Sequence, residues 1–494
     1  MKTKINVSKI LILIAAALLF SGCSGLYDFD ADGAAGDFGA TQGGVQDMGL
    51  ARELIKNGYV PPAEAFTVEG MFSEHDLPLD GEACSTTLCL RAAGGVAPTL
   101  DGQVAGWVQV GMSSTIDPEK FNRPSLTVVA CVDVSGSMGW EYSGNEEYAS
   151  PGTVSRRLLK SIASKLDHRD NIAIVSYGSD VDIVMNFVPG DRKDEILEAI
   201  DSLSENGSTN MEAGLKTAFQ LAGAADFATD EARVMLFTDV QPNVGATYGT
   251  EFESIAAEGE NEDVSLTVFG VGVGLGQEVM NHMVHICGGN AFSLFDVEDV
   301  DRLMEDNWPW MVSPIAYYLS LDVDTQTEFP VVDAYGFPSG ESGTEISMSV
   351  ATVFLSRRKG GLLLRMDPSL LGLEDSQKVH INLSYLTKAL KQKQDHLVVD
   401  FPEGSFMEGE TYFEQPSVGR ATALAILVYN MKKAAEAYAQ SREEAVNIMT
   451  DVVSRISSDA QSLDDSALDP EVELAQDLLD LMRNGAEQGD MYGI

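Results

Sequence analysis

Asp133, Ser135 and Ser137 stand in the spacing Asp-x-Ser-x-Ser around Gly136, directly after an apolar run at 126–134. Thr209 lies in Gly207-Ser208-Thr209-Asn210, and Asp239 follows Thr238 at the end of a second apolar run. Two carboxylates and three hydroxyls make a hard, all-oxygen donor set. Such a set suits Mg²⁺, Mn²⁺ or Ca²⁺ and not Zn²⁺, which prefers imidazole and thiolate. Gly136 permits the tight turn that lets both serines face one ion.

These residues can meet only if three separated segments end at one place. From residue 126 the sequence alternates strand and helix patterns. Strands are expected at 126–134, 172–177, 181–187, 232–238, 266–273 and 291–295. Helices are expected at 154–166, 194–203, 211–225, 277–286 and 297–307. The 126–134 run is apolar throughout, as in a strand buried on both faces. The alternation predicts an α/β fold, a doubly wound and mostly parallel sheet with helices on both faces, and the 181–187 strand, reached through Gly178-Ser179-Asp180, as its antiparallel member. Ligands bind such sheets beyond the carboxyl ends of the strands, where all five residues fall.

The Asp-x-Ser-x-Ser motif, the lone Thr209 and the strand-terminal Thr238-Asp239 together resemble the metal-ion-dependent adhesion site of von Willebrand factor type A domains. The resemblance implies a Rossmann-like fold for 125–308. It also implies that Ser135 and Ser137 ligate through their hydroxyls, Thr209 ligates directly or through water, and Asp133 and Asp239 hold waters and the serines from behind. With no carboxylate bonded directly, the ion would keep much of its charge and accept an acidic group from a partner. Val240 departs from the pattern, which has Gly after the Asp. The long segment 139–152 beside the motif could restrict access. The flanks, Gly58-Tyr59-Val60-Pro61-Pro62 and Asn122-Arg123-Pro124 among them, are similar to those of a bacterial family of exported type A-domain proteins.

Other constellations are weaker. His282-x-x-His285 with Cys287 lacks a fourth ligand for zinc, and both histidines fall on one expected helix. Gly270, Gly272, Gly274 and Gly276 follow a late strand without the nucleotide-binding spacing, so no nucleotide is expected. There is no phosphate-binding loop and no Gly-x-Ser-x-Gly elbow. Met431 and Met449 take core positions of expected helices.

The 494 residues carry 32 Lys and Arg against 76 Asp and Glu, a net charge of −44. Such a surface excludes nucleic acid as a partner and favours cations. The first residues explain part of the basic count. Lys2, Lys4 and Lys9 precede an apolar run at 10–20 and then Ser21-Gly22-Cys23, which resembles the lipobox of bacterial lipoproteins. Removal of 1–22 leaves 29 basic residues and a net charge of −47, with Cys23 as the lipidated first residue. Residues 23–48, rich in Gly, Ala and Asp, are expected to tether the protein. Cys84 and Cys89 could close a small disulfide, Cys131 reads as a buried small hydrophobe, and Cys287 is open.

The remaining segments are expected to be an associated N-terminal region (49–124), a β-rich domain (309–415) with strands at 317–323, 345–353, 361–366 and 379–385, and a helical region (416–494). The resulting expectation is a non-enzymatic, lipid-anchored module of the cell envelope, on the periplasmic, outer-membrane or cell-surface side, that captures a carboxylate-bearing protein through a cation. An assembly scaffold with a purely structural ion, or a hydrolase site in the C-terminal regions, are the alternatives.

Overall fold

The computed structural model describes residues 39–81, 86–116, 121–139, 149–272, 276–336, 342–371, 376–406 and 411–489. Cys23, the expected leader, the Cys84 partner of the expected disulfide and most of the 139–152 segment lie outside these residues, as does the side chain of Cys89.

The described chain starts with β1 (Gly39–Gln42) and β2 (Gly44–Val45). The expected tether is therefore shorter at its C-terminal end. β1 lies antiparallel between two strands of one sheet, and β2 pairs in parallel with the edge of another. These residues show no apolar periodicity because they are held by backbone pairing rather than by an apolar face. Gly43 makes the crossing, donating its N–H to the Thr352 carbonyl, and a Cβ there would meet the Gly289 oxygen at 2.6 Å. Asp47 then fastens the segment: its carboxylate accepts the N–H groups of Gly49 and Ser293, both at 2.9 Å.

Two short helices follow, α1 (Gly49–Lys56) and α2 (Val68–Glu74), and then the hairpin β3 (Leu88–Pro98) and β4 (Val104–Ser114). Of this hairpin only 107–111 is legible as a strand. Ala92-Ala93-Gly94-Gly95 has no β-forming pattern, yet Gly94 is required because a Cβ would press on Val399 at 2.8 Å.

The α/β unit contains β5 (Leu126–Asp133), α3 (Pro151–Lys165), β6 (Asn171–Tyr177), β7 (Val181–Pro189), α4 (Lys193–Asp201), α5 (Met211–Gly223), β8 (Glu231–Thr238), α6 (Gly249–Glu260), β9 (Val264–Val271), α7 (Gln277–Met283), β10 (Asn290–Leu294) and α8 (Val297–Asp306). Its sheet has the order β2-β10-β9-β8-β5-β6-β7, parallel except for β7. β5 is buried along its whole length. Val129 and Cys131 pack toward α5 and α6, while Val128 and Ala130 pack toward α3, α4 and α8. The chain leaves β5 toward β6 on one side and returns through β8 to β9 on the other, so the switch point lies between β5 and β8.

The last strands are β11 (Pro314–Asp324), β12 (Val331–Tyr335), β13 (Glu345–Ser356), β14 (Gly361–Met366), β15 (Gln377–Leu386), β16 (Gln392–Phe401) and β17 (Tyr412–Phe413). They do not form a domain separate from 49–124. β14 pairs with β4, and β3, β4 and β1 join them in one ten-stranded antiparallel sheet. The reason is physical: each face of the β3–β4 hairpin and each open edge needs a partner. β16, whose Gln392-Lys393-Gln394-Asp395-His396 stretch is largely exposed, has too little apolar alternation to read as a strand.

α9 (Pro416–Tyr438), α10 (Arg442–Leu463) and α11 (Asp469–Asn484) close the chain. Met431 and Met449 are fully buried, as their helical positions imply. α11 holds α1 through Glu471, which takes Arg52 at 2.9 Å and His75 at 3.0 Å. The α/β and antiparallel sheets are joined at the strand end remote from Asp239. There Arg233, wholly buried, donates to Thr267 and the Gly288 carbonyl, and Glu231 joins it to Lys388 of the β15–β16 turn at 3.2 Å. No helix among the described residues is long and apolar enough to cross a membrane.

Candidate metal centre

Asp133 ends β5, Asp239 follows β8, and Thr209 lies in the loop before α5. The three loops are laced together by their backbones. Gly136 N–H donates to the Gly207 carbonyl at 3.0 Å, and Asn206 N–H donates to the Val134 carbonyl at 2.6 Å. Gly207 sits at φ +88°, where glycine alone is unstrained.

The side chains converge. The Ser135 and Ser137 hydroxyls are 3.1 Å apart. Asp133 accepts the Ser135 N–H at 2.8 Å with one oxygen and the Thr238 hydroxyl at 2.9 Å with the other. The Ser137 hydroxyl bonds to Asp239, whose Oδ1 also accepts the Gln241 N–H at 3.3 Å. Thr209 is fixed by Asn243, which accepts its N–H at 2.9 Å, and the Thr209 carbonyl takes the Asn243 and Val244 N–H groups. Asp133, Ser135, Thr209 and Asp239 are buried and Ser137 is half-buried, so the cluster opens toward solvent at Ser137.

Electrostatics test the fit of a cation. Burial pushes the Asp133 carboxyl above the usual range. Burial, and then the charge of Asp133, push Asp239 up to about 7. Among the described residues no cationic group stands among the neighbours that set either acidity. Two buried, adjacent carboxylates without a counter-charge, next to the Ser135 and Ser137 hydroxyls and with Thr209 in the adjoining loop, are a donor set that fits a hard divalent cation. The set contains no nitrogen or sulfur.

Two roles in the site went unread in the sequence. Thr238 ties Asp133 to β8, and Asn243 orients Thr209; the only sequence signal for Asn243 was its place in the loop after Asp239. Val240 adopts φ +55° with its side chain buried. This is the left-handed conformation that Gly would take freely and a β-branched residue takes at a cost. It is held by the Thr238 hydroxyl on its N–H at 3.0 Å and by Gly276, where a Cβ would meet the Val240 oxygen at 2.1 Å. The zinc alternative does not assemble. His282 faces Glu253 at 3.2 Å, His285 faces Glu69 at 3.8 Å, and Cys287 is a buried free thiol, as is Cys131.

Residues 128–241 match the family model of the von Willebrand factor type A domain, a span that includes all five candidate ligands. Over 285 residues the chain is 32% identical to the uncharacterized protein YfbK of Escherichia coli (strain K12), covering 56% of this chain and 47% of that one. It is 21% identical over 287 residues to inter alpha-trypsin inhibitor, heavy chain 4, of Mus musculus, covering 56% of this chain and 28% of that one. The matches thus span less than half the length of either relative. Among solved structures, a von Willebrand factor type A protein from Catenulispora acidiphila superposes with a TM-score of 0.49 at 12% identity, over 76% of this chain and 87% of its own.

Proposed function

We propose that the von Willebrand factor type A domain carried by this chain is a metal-ion-dependent binding module for a protein that presents a carboxylate. The observation that carries this reading is the meeting of Ser135 and Ser137 with two uncompensated carboxylates at the switch point of the sheet, with the Thr209 loop laced to the Ser135 loop through the backbone. Ser135, Ser137 and Thr209 would hold Mg²⁺, or Mn²⁺ or Ca²⁺, by their hydroxyls, and Asp133 and Asp239 would hold the serines and water around it. A bound dication supplies a positive coordination position that a partner's Asp or Glu can fill. The chain's own residues set the rest. Asp133 and Thr238 lock the first loop, Asn243 locks Thr209, and the half-buried Ser137 marks the side from which a ligand arrives.

The module is read as non-enzymatic, since no nucleophile motif accompanies the site. It is read as lipid-anchored in the cell envelope through Cys23, on the strength of the leader sequence alone. The test is binding of the purified chain to immobilised acidic peptides and to their amidated counterparts, in Mn²⁺ and in EDTA. Capture of the acidic peptides in Mn²⁺ only, lost in Ser135→Ala, supports the reading. Capture that survives EDTA and Ser135→Ala overturns it in favour of a scaffold whose ion is structural.

A further inference from the structure

The outer face of the antiparallel sheet carries a second group of metal-ligating side chains, far in chemistry from the oxygen site. β15 and β16 pair antiparallel with His380 opposite Val398 and Asn382 opposite His396. His380 and His396 are thus diagonal neighbours on the same face, since Val379, Ile381, Leu383 and Val399 point into the core. Diagonal cross-strand side chains of this length can reach one another. Here they do: the rings stack at 5.6 Å between centroids with 26° between planes, and His380 Nδ1 and His396 Nε2 are 3.5 Å apart in a long ring-to-ring hydrogen bond that a shared ion would replace.

That separation is informative. Two imidazole nitrogens bonded to one tetrahedral zinc at about 2.0–2.1 Å are about 3.3–3.4 Å apart. The two nitrogens already sit within about 0.2 Å of that span, from backbone positions fixed by ten paired residues of ladder. On the other side of β15, Asp324 is directly opposite His380 and Asp322 is opposite Asn382, which places two carboxylates along one flank of the pair. Among the described residues no three His, Cys, Asp or Glu side chains converge, so the protein contributes two ligands and water completes the shell.

We propose that His380 and His396 form a cation site for a borderline transition-metal dication of the Zn²⁺ or Ni²⁺ type, which imidazole selects over Mg²⁺. The ion would staple β16, the edge strand of the sheet, to β15. This inference is independent of the oxygen site.

The experiment is calorimetric titration of the full chain with Ni²⁺ and with Zn²⁺ in excess Mg²⁺, which occupies the acidic surface and the oxygen site. The expected result is one saturable ion per chain, lost in His380→Ala and in His396→Ala and retained in Ser135→Ala and in His168→Ala. Far-UV circular dichroism of the histidine variants should match the parent, because both rings lie on the surface; His396→Gln serves as a second variant if His396→Ala does not fold. Unchanged Ni²⁺ binding in His380→Ala and in the folded His396 variant overturns the proposal. Loss of Ni²⁺ binding in Ser135→Ala overturns it too, since the ion would then be going to the oxygen site.

Discussion

Asp239→Asn should make the metal-free protein more stable and the metal-saturated protein less so. The Asp239 carboxyl is pushed up to about 7 from its ordinary value of 3.8 by burial and by Asp133. A carboxyl whose folded pKa is raised contributes stability that is complete below its unfolded value and is lost as pH rises through its folded value. At about pH 8 the ionised group therefore weighs against folding by on the order of 4 kcal/mol, from about 1.4 kcal/mol per pKa unit, and part of that belongs jointly to Asp133. Asparagine keeps the size and the acceptor for the Gln241 N–H but carries no charge. In EDTA at about pH 8 the variant should melt several degrees above the parent, and near pH 4 the difference should vanish. Excess Mg²⁺ should reverse the order, raising the parent by on the order of 2–3 kcal/mol at a hundredfold excess over Kd and leaving the variant unmoved. Thermal melts at the two pH values, with EDTA and with Mg²⁺, read all of this. A variant that melts below the parent in EDTA at the higher pH, or that Mg²⁺ still stabilises, would refute the reasoning.

Val240 offers an inversion of the usual ranking: at φ +55° a side chain carries about 1–2 kcal/mol of left-handed strain, so Val240→Ala, which keeps the strain and loses buried surface, should be less stable than Val240→Gly in denaturant melts. Glu231→Ala should destabilise by about 3–5 kcal/mol, because it strips the carboxylate from the wholly buried Arg233 and from Lys388; a loss under about 1 kcal/mol in urea unfolding would contradict that placement. Cys23→Ala should move the protein from the membrane to the soluble fraction of a bacterial host and remove the acyl mass seen by mass spectrometry of the parent, and equal partitioning of both forms would rule out the anchor.

The candidate site was legible in the sequence because two of its three loops end buried strands, Asp133 closing β5 and Asp239 following β8, whereas Thr209 lies in the loop before α5. The uninterrupted apolar run into Asp133, and the Thr238-Asp239 at the end of another, locate the carboxyl ends of β5 and β8 without any knowledge of packing. The strand order was not legible, since nothing local says that β8 returns beside β5. The antiparallel sheet was read only in part. β13 and β15 alternate clearly and β14 is a short continuous apolar run, whereas β3 is rich in Ala and Gly and β16 is polar because it is an exposed edge. Membership of β1, β3 and β4 in a sheet completed some two hundred residues later is a non-local pairing, invisible to periodicity. The significance of Val240 was half legible: the departure from Gly was visible, and its strained backbone needed the structure. The diagonal meeting of His380 and His396 depends on the register of β15 against β16, which the sequence does not encode locally.

The central claim is that three hydroxyls and two buried carboxylates hold a hard cation. It is tested most directly by Mn²⁺ titration of the purified chain, followed through the electron paramagnetic resonance signal of free Mn²⁺, for the parent and for Ser135→Ala. One saturable ion per chain in the parent, competed by Mg²⁺ and absent from a folded Ser135→Ala, is the predicted result. No saturable binding in the parent, or binding identical in Ser135→Ala, would contradict the account.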